Sequence, residues 1–279
     1  MSTEQTLIEP GFLFSQHSLN TYLRCPRRFL LKYIDRQPWP IPEDQDPRAY
    51  QDHLARGRVF HQWLARRQLG LDMQPIVDAS ADGQLRRWWE AAQGFDWEGL
   101  PTGFRQAELP VVVPLGDYRL YARYDLVAAE PSGAAVIVDW KTLPVRLPDR
   151  TLRERVQTRV YLYTLIVAGH LMTGGLPLQP EQVSMRYWFA DFPAETCTID
   201  YSSRAFERDR HWLNELIARI VGQPREAFVC TERRTLCTQC TYRSLCRQDE
   251  PEAATERENW LDEELDFALE IEDTPELDY

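Results

Sequence analysis

The stretch YARYDLVAAEPSGAAVIVDWKT, residues 121–142, holds two runs of β-branched and aromatic residues separated by a Pro-Ser-Gly turn. This composition predicts two strands joined by a short connection. Asp125 lies near the end of the first run, and Asp139 and Lys141 lie at the end of the second. On neighbouring strands two carboxylates can bind one divalent cation, and strand alternation places Asp139 and Lys141 on the same face.

Two carboxylates beside a lysine suit phosphodiester hydrolysis. Magnesium held by carboxylates polarises the phosphate and lowers the pKa of a bound water, while an ammonium group positions the nucleophile or offsets transition-state charge. The Asp-x-Lys string alone is weak evidence, because a surface salt bridge has the same letters. Of the 32 cationic residues, however, only Lys32 and Lys141 are lysines. A lysine at this position indicates that the site requires a compact point charge rather than the planar fork of an arginine.

The flanking sequence predicts helices on both sides of a mixed sheet. Hydrophobic periodicity and turn residues predict helices at 18–34 with an interruption at Pro26, and at 49–69, 84–93, 152–172 and 203–221. Alternating segments predict further strands at 107–115, 183–189 and 195–201. This order predicts one α/β domain with helical additions.

Length and composition indicate a globular protein. The chain has 279 residues, of which 43% are hydrophobic. The N-terminus lacks the blocks of a signal peptide, and the longest apolar run, 160–172, is too short to span a bilayer. We therefore expect a cytoplasmic protein without membrane contact. In that reducing compartment the six cysteines are expected to be metal ligands or buried thiols, such as Cys197, rather than disulfides.

The net charge of -11 is concentrated at the C-terminus. Residues 249–279 contain 14 acidic residues and one arginine, which leaves the preceding residues with a charge of +2. Cations of that body cluster at helical spacing, as Arg24, Arg27, Arg28, Lys32 and Arg36 and as Arg150, Arg153, Arg155 and Arg159. These clusters are either DNA-binding faces or ordinary solvated surfaces. The acidic tail is either a disordered solubilising segment or a partner-binding arm.

Three thiols lie close together at Cys237, Cys240 and Cys246. Zinc sites and iron-sulfur clusters normally use four protein ligands, so a water or another cysteine must complete the site. Cys230 would close a local zinc site.

The strand pair and its flanking helices resemble the core of the PD-(D/E)XK nucleases, in particular the RecB-like branch. In that branch an upstream helix supplies a histidine and a downstream helix supplies Gln-x-x-x-Tyr. Here RGRVFHQWL contains Gly57 and His61, and RVQTRVYLYTL contains Gln157 and Tyr161. The resemblance implies a restriction-endonuclease-like α/β fold with a mixed central sheet flanked by helices.

The cysteines extend this resemblance to iron-sulfur members of the branch, which include CRISPR-associated Cas-four exonucleases and AddB-type nuclease domains. These have one cysteine before the core and a C-x2-C-x5-C triplet after it. Cys25 and the triplet that begins at Cys237 match this order. The resemblance implies a 4Fe-4S cluster that joins an N-terminal helical part to a C-terminal cysteine-rich part. The nuclease domain would comprise residues 1–248, with a core at about 104–201, followed by the tail at 249–279.

The resemblance also implies roles for individual residues. Mg²⁺ or Mn²⁺ would be bound by His61, Asp125, Asp139 and the backbone carbonyl of Trp140. Lys141 would act on the water or the transition state, Gln157 and Tyr161 would orient the active site or DNA, and Glu108 corresponds to a further acidic position of the branch.

The expected activity is that of a metal-dependent DNA exonuclease acting on single-stranded or frayed ends, in CRISPR adaptation, recombinational repair or phage defence. The alternative is a non-catalytic DNA-end-binding or scaffold subunit.

Overall fold

The structure, a computed structural model, describes residues 7–38, 48–237 and 240–246. The chain divides into two units. Unit 1 consists of Met1–Asp46, Pro114–Arg119 and Trp212–Tyr279, and unit 2 consists of Pro47–Val113 and Leu120–His211. The acidic tail predicted at 249–279 lies outside the described residues.

A mixed sheet lies at the centre of the fold, as predicted, and in the described part of the chain it has six strands, one more than the sequence predicted. Its strands are β1 Leu13–Ser15, β2 Phe104–Leu115, β3 Tyr118–Ala129, β4 Ala135–Lys141, β5 Val183–Phe189 and β6 Cys197–Asp200. The strand order is β1-β3-β4-β5-β6, and β2 pairs with β3 off this path. Strand β4 is antiparallel to β3 and parallel to β5, whereas β6 is antiparallel to β5. Both faces of β4 are buried, which explains its run of apolar residues.

Four of the five predicted helices agree with the structure, the prediction at 152–172 does not, and two short helices, Gln74–Ala79 and Arg243–Cys246, were not predicted. The helices are α1 Gln16–Arg24, α2 Pro26–Phe29, α3 Arg48–Gln68, α4 Gln74–Ala79, α5 Gly83–Gln93, α6 Asp149–Glu154, α7 Val156–Ala168, α8 Ser203–Gly222 and α9 Arg243–Cys246. Pro26 begins a new helix, as expected from its fixed φ and missing N–H. The hydroxyl of Ser202 accepts a hydrogen bond from the Ala205 N–H and caps α8. No helix in the described part of the chain is long and apolar enough to cross a bilayer.

The single helix predicted at 152–172 is wrong, because two helices and a short 3-10 turn occupy this segment. Arg155 has an extended backbone, with a ψ of 144°, and separates α6 from α7. The Thr158 hydroxyl donates to the Leu152 carbonyl over 2.5 Å and so satisfies an acceptor at the end of α6. The break makes Gln157 the second residue of α7.

An aromatic cluster in unit 2 packs helices α3 and α5 against strands β4 and β5. Its large members are Phe60, Trp63, Trp88, Trp89, Phe95, Trp97, Trp140 and Trp188, all of them buried. Phe60 and Leu64 of α3 are at most 1% exposed. Burial of these neighbours fixes the helix that carries His61.

Unit 1 brings the N-terminal helices together with the segment before the C-terminal cysteines. The rings of Phe29 and Phe228 stack with centroids 6.1 Å apart, and both residues are buried. The Arg27 N–H donates to the Val229 carbonyl over 3.1 Å. Cys25 therefore lies just before, and Cys230 just after, backbone segments that this packing holds together.

The turn between β3 and β4 generates a prediction about stability. Gly133 has a φ of +100°, and a Cβ at this position would lie 2.6 Å from the amide oxygen of Gln182. We expect Gly133→Ala to lower the free energy of unfolding by about 1–2 kcal/mol, because an L-residue is strained at positive φ. Urea denaturation measures the change.

Gly222→Ala is the matched control. Gly222 ends α8, its φ is not left-handed, and nothing lies within 4 Å of the position its Cβ would take. Alanine there should leave stability unchanged or raise it by up to about 1 kcal/mol. Equal effects of the two substitutions would contradict the assigned turn.

Candidate active site

The antiparallel pairing of β3 and β4 brings the two predicted aspartates together. The paired positions of the two strands end with Leu126 opposite Val138, and Asp125 and Asp139 are the next residues of β3 and β4 beyond that pair. The Trp140 N–H donates to Asp125 Oδ2 over 2.8 Å. Asp125 is therefore fixed by the neighbouring strand.

A buried hydrogen-bonded network connects Asp139, Lys141 and Gln157. Lys141 Nζ lies 2.9 Å from Asp139 Oδ2 and donates to Gln157 Oε1 over 3.1 Å. Gln157 Nε2 donates to Asp139 Oδ1 over 2.7 Å. Asp139 is 1% exposed and Lys141 is 8% exposed. At this burial the pair is not an ordinary surface salt bridge. Removing both charges from water costs free energy, which a surface pair avoids.

A second group of side chains consists of His61, Glu108 and Asp125. One potential ligand atom from each lies within 4.8 Å of the others. His61 Nδ1 lies 3.4 Å from Asp125 Oδ1. Two carboxylates and an imidazole form a donor set that suits a divalent cation. All three side chains are partly exposed, so a cation could reach them.

Glu108 reaches this group through an unusual backbone conformation. Its φ is +52°, and among the described non-glycine residues only Arg36 shares a positive value. Positive φ within a strand changes the direction of the side chain, as in a β-bulge. Arg123 Nε lies 3.3 Å from Glu108 Oε2. The sequence related Glu108 to an acidic position of the RecB-like branch but did not place it among the metal ligands. Its only signal in the sequence was that it is an acidic residue in a largely apolar predicted strand.

The structure therefore arranges the predicted metal ligands in two adjoining groups. Asp125 lies with His61 and Glu108, whereas Asp139 contacts Lys141 and Gln157. The ring of Trp140 lies in the aromatic cluster, 4.9 Å from that of Phe95.

Tyr161 is buried on α7. Its ring packs edge to face against Tyr124 with centroids 5.3 Å apart. Its backbone carbonyl accepts a hydrogen bond from the Tyr124 hydroxyl over 3.5 Å.

Mutual electrostatics shift the pKa values of the second group. Burial lowers the pKa of His61, but attraction by Asp125, followed by Glu108 and Asp139, raises it to about 8. Burial, and then repulsion by Asp125, raises the pKa of Glu108. Burial opposes ionisation of Asp125, but His61 and Lys141 outweigh it and lower the pKa of this carboxyl. The carboxylates thus repel one another and attract positive charge, which a bound cation would supply.

The four cysteines predicted as ligands, and Cys230 as the alternative fourth ligand, lie together in unit 1. Cys25, Cys230, Cys237, Cys240 and Cys246 line one cavity together with Arg28 and Arg243. Burial, followed by repulsion from the other thiolates of this cavity, raises the pKa of Cys237. The same effects, with Cys230 as the strongest neighbour, raise the pKa of Cys246 to about 12. Cys197 lies elsewhere, buried on β6, as expected.

These half-buried thiols suit an iron-sulfur cluster or a zinc ion, because thiolates so close together repel one another unless a metal stabilises them. Cys25 and Cys230 are both placed to serve as the fourth ligand.

A family model and solved structures resemble this chain. No curated protein matches the chain. Among solved structures, a protein designated SSO0001 is 13% identical, with a TM-score of 0.37, and the match covers 86% of this chain and 88% of that one. A proposed exonuclease from Eubacterium rectale is 10% identical, with a TM-score of 0.48, and the match covers 86% of this chain and 90% of that one. The family model of the PD-(D/E)XK nuclease superfamily matches residues 13–247. The chain therefore belongs to the PD-(D/E)XK nuclease superfamily.

Proposed function

We propose that this protein is a metal-dependent DNA nuclease that hydrolyses phosphodiester bonds, most simply as an exonuclease on single-stranded or frayed ends. The observation that carries the proposal is the buried Lys141-Asp139-Gln157 network next to the group of His61, Glu108 and Asp125. Family membership supports a nuclease, and this geometry supports an intact active site.

The site would hold Mg²⁺ or Mn²⁺ through His61, Glu108 and Asp125, with Asp139 and the backbone carbonyl of Trp140 as the further ligands. The two carboxylates and the imidazole fit such an ion in donor type and in charge. When bound, the ion supplies Lewis-acid chemistry that polarises the phosphate and lowers the pKa of water.

The chain's own residues orient the reaction. Lys141 provides a compact positive charge that can position the attacking water and offset negative charge developing on the phosphate. Gln157 holds both Lys141 and Asp139, so the ammonium and the carboxylate keep one relative position. Tyr161, one helical turn after Gln157 and packed on Tyr124, supports that helix beside the strands.

A non-catalytic DNA-end-binding or scaffold subunit remains the rival function. Retention of the complete site argues against it, because a scaffold has no need for a lysine and a carboxylate in a buried network. The pathway we propose is CRISPR adaptation, recombinational repair or phage defence, and the acidic tail is proposed as a contact for a protein partner.

We also propose that the cysteines hold a structural 4Fe-4S cluster with Cys25, Cys237, Cys240 and Cys246 as ligands. Such a cluster would cross-link the two ends of the nuclease domain, which we place at residues 1–248. Cross-linking residues so far apart in sequence lowers the entropy of the unfolded chain by the equivalent of roughly 4–5 kcal/mol.

The first prediction concerns catalysis. We expect Asp139→Ala to lower Mn²⁺-dependent cleavage of labelled single-stranded DNA by at least about 100-fold, because it removes a carboxylate from the site and a partner of Lys141. Cleavage is measured on single-stranded and double-stranded substrates.

Asp200→Ala is its control, since Asp200 is an exposed carboxylate on β6. Cleavage by this variant should equal that of the wild type. An inactive wild-type protein that still binds DNA ends would favour the scaffold function, and full activity of Asp139→Ala would contradict the assigned site.

The second prediction concerns pH. A proton on His61 competes with the metal, and its pKa is raised to about 8. The affinity for Mn²⁺ should therefore rise by up to about tenfold per pH unit below pH 8 and level off above it. Calorimetric titration with Mn²⁺ between pH 6.5 and 9 measures this dependence.

His61→Gln should bind Mn²⁺ more weakly and with a shallower pH dependence over the same range. Parallel pH profiles for the two proteins would mean that His61 is not a ligand.

The third prediction concerns the cysteine site. The protein purified without oxygen should be brown and absorb broadly near 400 nm, and Cys25→Ala should lose both this absorption and thermal stability. Cys197→Ala should keep the absorption, since Cys197 lies outside the cavity. A colourless protein with one zinc per chain, or retention of the colour by Cys25→Ala together with its loss in Cys230→Ala, would assign the fourth ligand to Cys230.

A further inference from the structure

We propose that Arg123 binds a phosphate group of the DNA strand at the metal site, and that Glu108 holds its guanidinium in position until DNA arrives. This inference rests on the proposed function and assigns a specific residue to its substrate. It is carried by the ion pair between Arg123 Nε and Glu108 Oε2, which lie 3.3 Å apart.

Strand alternation places Arg123 beside the metal ligands. Arg123 and Asp125 are two residues apart on β3, so their side chains project from the same face about 7 Å apart along the strand. Both side chains are partly exposed. Ala122 and Tyr124, which alternate with them along β3, are buried, as expected for residues on the other face. Arg123 is 28% exposed, so DNA can reach its guanidinium.

The charges of the site explain why a further cation is needed. Glu108, Asp125 and Asp139 contribute three negative charges, and Lys141 contributes one positive charge. One divalent cation makes this group neutral, with His61 neutral as a ligand. A neutral site gives no net attraction to a phosphodiester anion. Arg123 adds the positive charge that makes the site attractive to DNA.

The chemistry of arginine fits this role. The contact with Glu108 is made through Nε, and a guanidinium carries two further nitrogens arranged as a fork that matches phosphate oxygens. When a metal ion takes a share of the Glu108 carboxylate charge, the attraction between Glu108 and Arg123 weakens. The guanidinium can then exchange a carboxylate partner for a phosphate partner without a large change of position.

A purely structural role for Arg123 makes a different prediction. If Arg123 only orients Glu108, its loss should weaken metal binding and leave the salt dependence of DNA binding unchanged. If Arg123 binds a phosphate, its loss should remove one ionic contact with DNA and leave metal binding nearly intact.

The test compares Arg123→Gln and Arg123→Lys with Arg204→Gln, which removes an exposed charge on α8. For Arg123→Gln we expect kcat/KM on a single-stranded oligonucleotide to fall by about 10- to 100-fold, as for loss of one charged hydrogen bond. The negative slope of log affinity for that oligonucleotide against log salt should become shallower by about 0.7. Mn²⁺ affinity, measured by calorimetry, should stay within about twofold.

The variants also separate this inference from the proposed function. Arg123→Lys should keep the salt slope and lose part of kcat/KM, because it keeps the charge and loses the fork. Arg204→Gln should match the wild type in all three measurements. An unchanged salt slope, or a loss of activity that follows loss of Mn²⁺ binding, would overturn the role of Arg123. An inactive wild type would instead overturn the proposed nuclease, whether or not Arg123 alters DNA binding.

Discussion

Repulsion between the neighbouring carboxylates of Glu108 and Asp125 is the constraint on which the rest of this site depends. Asp125 and Glu108 belong to a group whose ligand atoms lie within 4.8 Å of one another, and the negative charge of Asp139 also raises the pKa of His61 in that group. Negative charges so placed destabilise one another unless cations accompany them. Lys141 is the fixed cation, and the raised pKa of His61 shows the same demand for positive charge. A divalent metal ion would balance the negative charge that remains.

The fold positions these groups through helix packing, strand pairing and a helix start. Aromatic packing fixes α3 and thus His61, the ladder between β3 and β4 fixes the aspartates, and the break at Arg155 brings Gln157 to the start of α7. The site residues on these elements all lie in unit 2, whereas the residues of the cysteine cavity all lie in unit 1. Each unit therefore carries a complete candidate metal site of its own.

The sequence predicted β2 to β6 and the placement of Asp139 and Lys141 on one face because alternation with a period of two is a local property, whereas it missed the three-residue β1. It did not place Glu108 in the ligand set, because a positive φ in mid-strand depends on the surrounding structure rather than on a residue pattern. The break before Gln157 was missed for a similar reason: it depends on the extended backbone of Arg155 and on a hydrogen bond between Thr158 and the Leu152 carbonyl. Spacing within the chain also could not show that Cys25 and Cys230 share one cavity.

Anomalous diffraction from crystals grown with Mn²⁺ tests the central claim most directly. The account predicts a manganese peak within coordination distance of His61, Glu108 and Asp125, on the side of the group that faces Asp139. A peak that lacks Glu108 as a neighbour, or full occupancy of the metal at some other place in unit 2 with none at this group, would contradict it.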